Sequence, residues 1–436
     1  MKLSSSIIFC LLLKITVFAQ ANFVLKMKIE SIKEKYALLW RYHGDKELLV
    51  DSVRFGANGL AIYRTKTAQP FGLYRIQLPN TRSFELIISE PKIALTTNVI
   101  TSDQSMKIKK SVENKIYYEL KRFISSQRKK LFALSKDLKK QKISQTQFDH
   151  KTDSINQAIR TRKLGIIAEN PNLLVSAYIK AEMNPLIDQS VKEPYIKYIN
   201  DFLDQIDFNN PAILNSPILE DRVNEYVQNI VAPYPSEKIK AIDRILKRTD
   251  FKPTRTFLAT KFLRKYQEMS QLGDDEVFLH LVENYLNDSD IKEKEIIKYK
   301  KQAQDIKPFL RGKQFPENSF VLDKPLDSII AKYTLVVIWN ESVTKKQLNL
   351  LYDFSQSYAK YGLKVLSISV NSNKEKLHIG HKNNWYHGQV YTYLNDLPFR
   401  ENENAFELYF LDKNKKIIAR DIGLDDLIDT IDAWEK

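Results

Sequence analysis

The chain has 436 residues, 43% hydrophobic and 28% charged, with a formal net charge of +15; this is ordinary usage for a folded protein with real cores, and the length suits roughly three domains of about 150 residues each. Its 11 glycines are too few for a large all-β chain built on tight turns, so substantial helix is expected. The one cysteine is Cys10, which falls inside a leader-like segment, so a processed chain would hold no thiol and thiol chemistry is excluded from it.

Residues 1–21 read as a signal peptide. Met1-Lys2 precede an apolar run from Ile7 to Leu13 and another from Ile15 to Phe18, and Ala19-Gln20-Ala21 supplies small residues for cleavage after Ala19 or Ala21. Lys14 interrupts the run, which is shorter than the ~20 apolar residues that span a bilayer. Ile7, Ile8 and Phe9 ahead of Cys10 do not match a lipidation site. The expectation is an exported, soluble chain with no transmembrane anchor.

Residues 22–104 read as a β-sandwich-like, antiparallel domain. Phe23, Leu25, Met27 and Ile29 alternate with polar neighbours, and strands are expected again at Tyr36–Tyr42, Leu48–Phe55, Leu60–Tyr63, Leu73–Leu78 and Phe84–Ile88, with turn residues between them. Residues 105–310 read as helical. Val112, Ile116, Leu120, Phe123, Ile124, Leu131, Leu134 and Leu138 form the apolar stripe of one long helix, and Ser144 with Gln147 forms a capping box that opens a second. Further helices follow, interrupted near Pro211, Pro235 and Pro253.

Charge concentrates in that hairpin. Lys107 to Lys163 contains 17 basic and 5 acidic residues, whereas residues 333–436 contain 13 and 14. A segment so basic suits a polyanion, and outside the cytosol that means anionic lipid or glycan before nucleic acid; a solvated helical face is the competing reading. Lysine interleaved with aromatics at Tyr117, Tyr118, Lys121, Arg122 and Phe123 is explained by helical spacing, and no nucleic acid is expected.

Residues 311–436 read as a connector followed by strand (Leu335–Trp339), helix (Gln347–Tyr361), strand (Leu363–Val370), a hairpin around Asp412-Lys413-Asn414 and a last helix (Leu424–Trp434), the order of an α/β sandwich. Gly312–Pro316, Tyr333–Trp339, Gly362–Ser369 and Leu408–Lys416 resemble the thioredoxin-like domains of exported reductases and peroxiredoxin-like proteins. Glu169–Asn172 and Asp275–Tyr285 resemble the helical segment that accompanies such domains in Gram-negative envelope proteins, and the front domain resembles a domain of unknown function placed before them. The resemblance implies an α+β multidomain protein of the periplasm or cell envelope.

It also implies a Cys-X-X-Cys pair shortly after Trp339, where a helix N-terminus would stabilise a thiolate. Here the loop is Asn340, Glu341, Ser342, Val343, Thr344, Lys345 and Lys346, with no cysteine, and the proline expected to face the pair has Phe406, after Ala405, as its counterpart. The expectation is therefore a non-catalytic thioredoxin-like domain without cofactor, using the groove of Trp339, residues 340–346, Ala405 and Phe406 to dock a protein partner. Two alternatives stand beside it: an accessory that binds substrate for a thiol-disulfide oxidoreductase, and a polyanion binder acting through the basic hairpin. Ser342 beside Glu341 lacks a histidine base, so a solvated turn is expected there. His378, His381 and His387 lack a completing carboxylate or cysteine and read as surface residues, and His280 reads as a helix-surface or packing residue. Trp385, Tyr386, Tyr391 and Tyr393 are candidates for a binding surface, against the simpler reading as core or sheet residues.

Overall fold

The computed structural model describes residues 23–33, 35–78, 82–268, 273–317, 320–339, 343–370, 385–390 and 406–420, and the chain divides into two units, Met1–Val223 and Asn224–Lys436. The signal-like segment 1–21, residues 340–342 and the helix expected at Leu424–Trp434 lie outside the described residues. The molecule is mixed α/β with several sheets.

In the first unit the strands are β1 (Phe23–Glu30), β2 (Tyr36–His43), β3 (Lys46–Arg54), β4 (Leu60–Thr65), β5 (Gly72–Gln77), β6 (Ser83–Ile88), β7 (Lys92–Asn98) and β8 (Lys107–Lys110). They form two four-stranded sheets, ordered β3-β2-β5-β6 and β4-β1-β7-β8. Alternation does the sorting: Phe23, Leu25, Met27 and Ile29 are buried while Lys26, Lys28 and Glu30 are exposed. Leu39, Tyr74, Ile76 and Leu86 from the first sheet join Leu25, Met27 and Leu95 from the second in one core. The expected antiparallel pairing holds in the β3-β2-β5-β6 sheet, but β1 and β7 run parallel, Leu25 opposite Ile93 and Met27 opposite Leu95. That pairing is long-range: the chain returns from the first sheet to lay β7 beside β1. Gly59 marks a close approach, because its φ is +72° and a Cβ there would lie 2.3 Å from the Ile29 carbonyl oxygen.

A one-turn helix, α1 (Ser102–Ser105), separates β7 from β8; then come α2 (Val112–Lys139), α3 (Gln145–Glu169), α4 (Leu174–Ala181), α5 (Pro194–Phe202), α6 (Pro211–Leu214) and α7 (Ile218–Glu225). The hairpin read from the sequence is α2 and α3, which pack on each other. The Ser144–Gln147 capping box is formed at the start of α3.

The second unit holds α8 (Pro235–Leu246), α9 (Lys252–Gln267), α10 (Asp274–Tyr285) and α11 (Glu293–Ile306), followed by β9 (Val321–Leu322), β10 (Tyr333–Trp339), α12 (Lys345–Tyr358), β11 (Leu363–Val370), β12 (Trp385–Val390), β13 (Phe406–Leu411) and β14 (Ile417–Arg420). The prolines that interrupt the helical region stand in the first turns of α6, α8 and α9, where a missing N–H costs nothing and the fixed φ suits the helix. The strands form one six-stranded sheet ordered β14-β13-β10-β11-β12-β9. β10, β11 and β12 are parallel, and β13, β14 and β9 are antiparallel to their neighbours. β10 and β11 are buried on both faces, hence the unbroken apolar run Leu335–Trp339 in β10, while β11 breaks its apolar run with Ser367 and Ser369, both buried. One face packs Leu335, Val337, Trp339, Val365 and Phe410 on Leu348, Leu351 and Phe354 of α12. The other packs Val336, Ile338, Ile368 and Tyr409 on Phe309, Phe315 and Phe320.

Candidate functional site

The groove expected at the end of β10 resolves into residues with separate duties. Trp339 is fully buried, and its indole Nε1 donates to Ser367 Oγ at 2.9 Å. Val343 is buried in the core beneath α12. Thr344 is the N-cap of α12: its hydroxyl accepts from the Gln347 N–H at 3.3 Å, and the Thr344 N–H donates to Gln347 Oε1 at 2.9 Å. Lys345 and Lys346 are exposed in the first turn, two cations at the positive end of the helix dipole, the end that favours anions. In the antiparallel register Trp339 lies opposite Phe406, so Phe406 starts β13 beside the last residue of β10. Asn340, Glu341, Ser342 and Ala405 lie outside the described residues. Of the described groove residues, then, Thr344, Lys345 and Lys346 face solvent, and Trp339 and Val343 belong to the core.

Trp385 is likewise core, donating from Nε1 to Ser355 Oγ at 2.9 Å, while Tyr386 is half-buried and its hydroxyl accepts from Lys364 Nζ at 3.2 Å. Tyr391, Tyr393, His378 and His381 lie outside the described residues. His280 is held by Asp243, whose Oδ1 lies 2.7 Å from Nε2 and also accepts from the Tyr285 hydroxyl at 2.8 Å. This ties α10 to α8. Among the described residues no group of three His, Cys, Asp or Glu side chains is arranged to hold a metal ion.

The sequence reading overlooked a cluster of buried charge on the second face of this sheet. Glu407 accepts from the Tyr409 hydroxyl at 2.6 Å and from Arg420 Nη2 at 3.4 Å, and Arg420 Nη1 lies 3.6 Å from Asp275 Oδ2 at the start of α10. All three charged residues are buried. The cluster joins β13, β14 and α10, and losing one member would leave buried charge uncompensated. A charged residue within the apolar alternation Phe-Glu-Leu-Tyr-Phe-Leu is the signal that points to it. Lys415, in the β13–β14 turn, is also buried; its Nζ donates to the Ile329 carbonyl at 2.7 Å and to Thr334 Oγ1 at 2.9 Å, and burial pushes its pKa below the usual lysine value. Its φ of 62° is one that glycine adopts at lower cost, so the side-chain bonds hold a strained backbone in place.

In the first unit, a cavity of about 470 Å³ opens at the foot of α2, lined among others by Glu85, Tyr117, Leu120, Ile124, Arg128 and Ile179. Its acidic groups are engaged: Glu85 accepts from Tyr117 at 2.8 Å and Tyr42 at 3.3 Å, Asp103 pairs with Lys121 at 2.9 Å, and Glu182 lies 3.6 Å from Lys163. Burial, and then the Glu85 charge, hold the Tyr117 phenol well above the ordinary tyrosine range, so it remains a neutral donor. The foot itself is built by two polar residues. Asn114 Nδ2 donates to the Ile87 carbonyl at 2.8 Å and its Oδ1 accepts from the Ile87 N–H at 2.9 Å, as a neighbouring strand would. The Glu113 carboxylate accepts from the N–H groups of Leu174 and Val175 at 2.8 and 2.7 Å, satisfying the open amides at the start of α4. The signal for these roles is a pair of polar residues at the start of an otherwise apolar stripe. The cavity lining thus mixes acidic, basic and apolar side chains.

No family model and no curated protein matches this chain. Among solved structures, a thioredoxin-like protein from Bacteroides caccae is 18% identical and matches 56% of this chain and 95% of its own, with a TM-score of 0.43. A domain of a possible thiol-disulfide isomerase from Cytophaga hutchinsonii is 24% identical over 30% of this chain and 95% of its own, with a TM-score of 0.26. The thioredoxin domain of a thiol-disulfide oxidoreductase from Bacteroides vulgatus is 18% identical over 26% of this chain and 90% of its own, with a TM-score of 0.22.

Proposed function

We propose that the chain is an exported cell-envelope protein whose C-terminal sheet is a thioredoxin-like domain serving as a binding or scaffold module without thiol chemistry. One observation carries this reading: the helix that follows the central strand opens with Thr344-Lys345-Lys346, and no residue after Cys10 is a cysteine. Disulfide exchange needs a thiolate to attack sulfur. The two exposed lysines leave a cationic helix end just after β10, a surface suited to an acidic segment of a protein partner.

Two measurements test the reading. In an insulin-reduction assay driven by a small dithiol, the purified chain gives no turnover above background; turnover at the level of a cysteine-bearing thioredoxin overturns it. Partners recovered from envelope extract by the full chain are then challenged with Lys345→Glu combined with Lys346→Glu. Loss of binding supports the groove, and retention of every partner removes it. A recovered oxidoreductase bearing Cys-X-X-Cys turns the reading toward an accessory of that enzyme.

A further inference from the structure

The α2–α3 hairpin extends well past the body that anchors it. Among the described residues none between Gln127 and Ile166 is buried, yet α2 alone has 28 residues, about 42 Å at 1.5 Å per residue. Leu131, Leu134 and Leu138 are partly covered, as suits the side of α2 turned to α3. The opposite side stays open.

Arg128, Lys129, Phe132, Lys136 and Lys139 are separated by one, three, four and three residues and fall on one face of α2. All five are exposed. Phe132 stands at the middle of the group, 63% exposed, with Lys136 Nζ 4.4 Å from its ring centroid. Asp137, the one acid of the outer half of α2, lies about 140° round the helix from Phe132. Over residues 128–165 the hairpin carries 11 basic and 3 acidic side chains.

We infer that this face of α2 docks on a membrane surface rich in anionic phospholipid, with the four cations on headgroup phosphates and the Phe132 ring in the boundary with the acyl chains. Charge selects the occupant. A second copy of this chain would bring the same cations face to face, and a neutral surface would leave them unmatched. Phe132 selects lipid over a soluble polyanion: a phenyl ring has no hydrogen-bonding group for a glycan, whereas rings among lysines are a recurrent feature of helices lying at the bilayer interface. This inference is independent of the groove proposed above, so either can fail alone.

The test is co-sedimentation of the full chain with vesicles of phosphatidylglycerol and phosphatidylcholine in equal parts, against vesicles of phosphatidylcholine alone, at low and high salt. Binding is expected only to the anionic vesicles, weakening as salt screens the surface. Lys129→Glu with Lys136→Glu lowers it roughly tenfold or more, and Phe132→Ser lowers it several-fold. A matched reversal on the β-rich part, Lys46→Glu with Lys66→Glu, leaves it within about twofold, with circular dichroism confirming that each variant keeps its helix content. Absence of binding, equal binding to neutral vesicles, or an α2 reversal that binds like the parent chain overturns the inference. So does tight binding to a sulfated glycan, insensitive to Phe132→Ser, without binding to vesicles.

Discussion

The two ends of α2 carry the same apolar periodicity and finish in opposite environments. At the foot, Glu113, Asn114, Tyr118 and Leu120 are buried, and the polar atoms among them are matched: Asn114 to Ile87, Glu113 to the amides of α4, and the Tyr118 hydroxyl to the Glu85 carbonyl at 2.7 Å. Beyond Gln127 the stripe of Leu131, Leu134 and Leu138 is only partly covered, and no residue of α2 is buried. Periodicity therefore reports which face of a helix is covered; how deeply it is covered depends on how many elements arrive there.

If that contrast is right, the largest effect comes from Asn114→Leu, which leaves the Ile87 N–H and carbonyl buried without partners and should cost about 2–4 kcal/mol. Denaturant unfolding of the full chain would show it, and a cost under about 1 kcal/mol would break the comparison. Glu113→Gln keeps the shape but removes the charge at the start of α4, with an expected loss of about 1–2 kcal/mol by the same measurement. Hydrogen exchange sharpens the boundary: amides beyond Arg128 should open at least ~1 kcal/mol more easily than those around Tyr118, and equal protection along α2 would contradict the picture. Lys129→Glu with Lys136→Glu should change stability by no more than about 0.5 kcal/mol, since those side chains touch little besides solvent and Phe132.

Lys415 supplies the smallest effect and a contrast from the second unit, a buried cation where the α2 foot uses an amide and a carboxylate. Because burial lowers its folded pKa below 10.5, the unfolded chain holds that proton more tightly. The Lys415 contribution is fully present above the unfolded value and is lost as pH falls through the folded one, so this contribution rises with pH within the window just below 10.5, against the fall that buried phenols such as Tyr117 impose as pH approaches the ordinary tyrosine value. In a pH series of unfolding midpoints, the difference between the parent chain and Lys415→Met should therefore move in the parent's favour as pH rises through that window, and a pH-independent difference would contradict the assignment.

Much of this architecture could be read in advance. Strands β1 to β6, the α2–α3 hairpin and the Ser144–Gln147 cap follow from alternation, helical spacing and local side-chain chemistry, all of which act within a few residues. β7 and β8 carry weaker signals. Lys-Ile-Lys-Lys is short and charged, and β8 is a strand because β7 pairs with it. The apolar pattern puts the start of α12 at Gln347, although Thr344 and Gln347 carry the same capping signature as Ser144 and Gln147. At the end of β10, the absence of cysteine from residues 340–346 is plain from the residues alone. That Trp339 and Val343 are core while Thr344, Lys345 and Lys346 are surface is not, because exposure depends on what packs against the strand end.

Composition and local periodicity are properties of the chain, and they suffice for strands β1 to β6, the long helices, the basic character of the hairpin and the absence of any thiol beyond Cys10, but not for β8. Only the tertiary structure decided that β1 and β7 run parallel, that Glu407, Arg420 and Asp275 meet in the interior, and that Glu113 and Asn114 act as buried anchors while Phe132 stands in solvent. The reason is physical. Pairing register and burial are set by partners tens to hundreds of residues away, and a polar side chain becomes an anchor when folding removes its water and supplies a matching group in return.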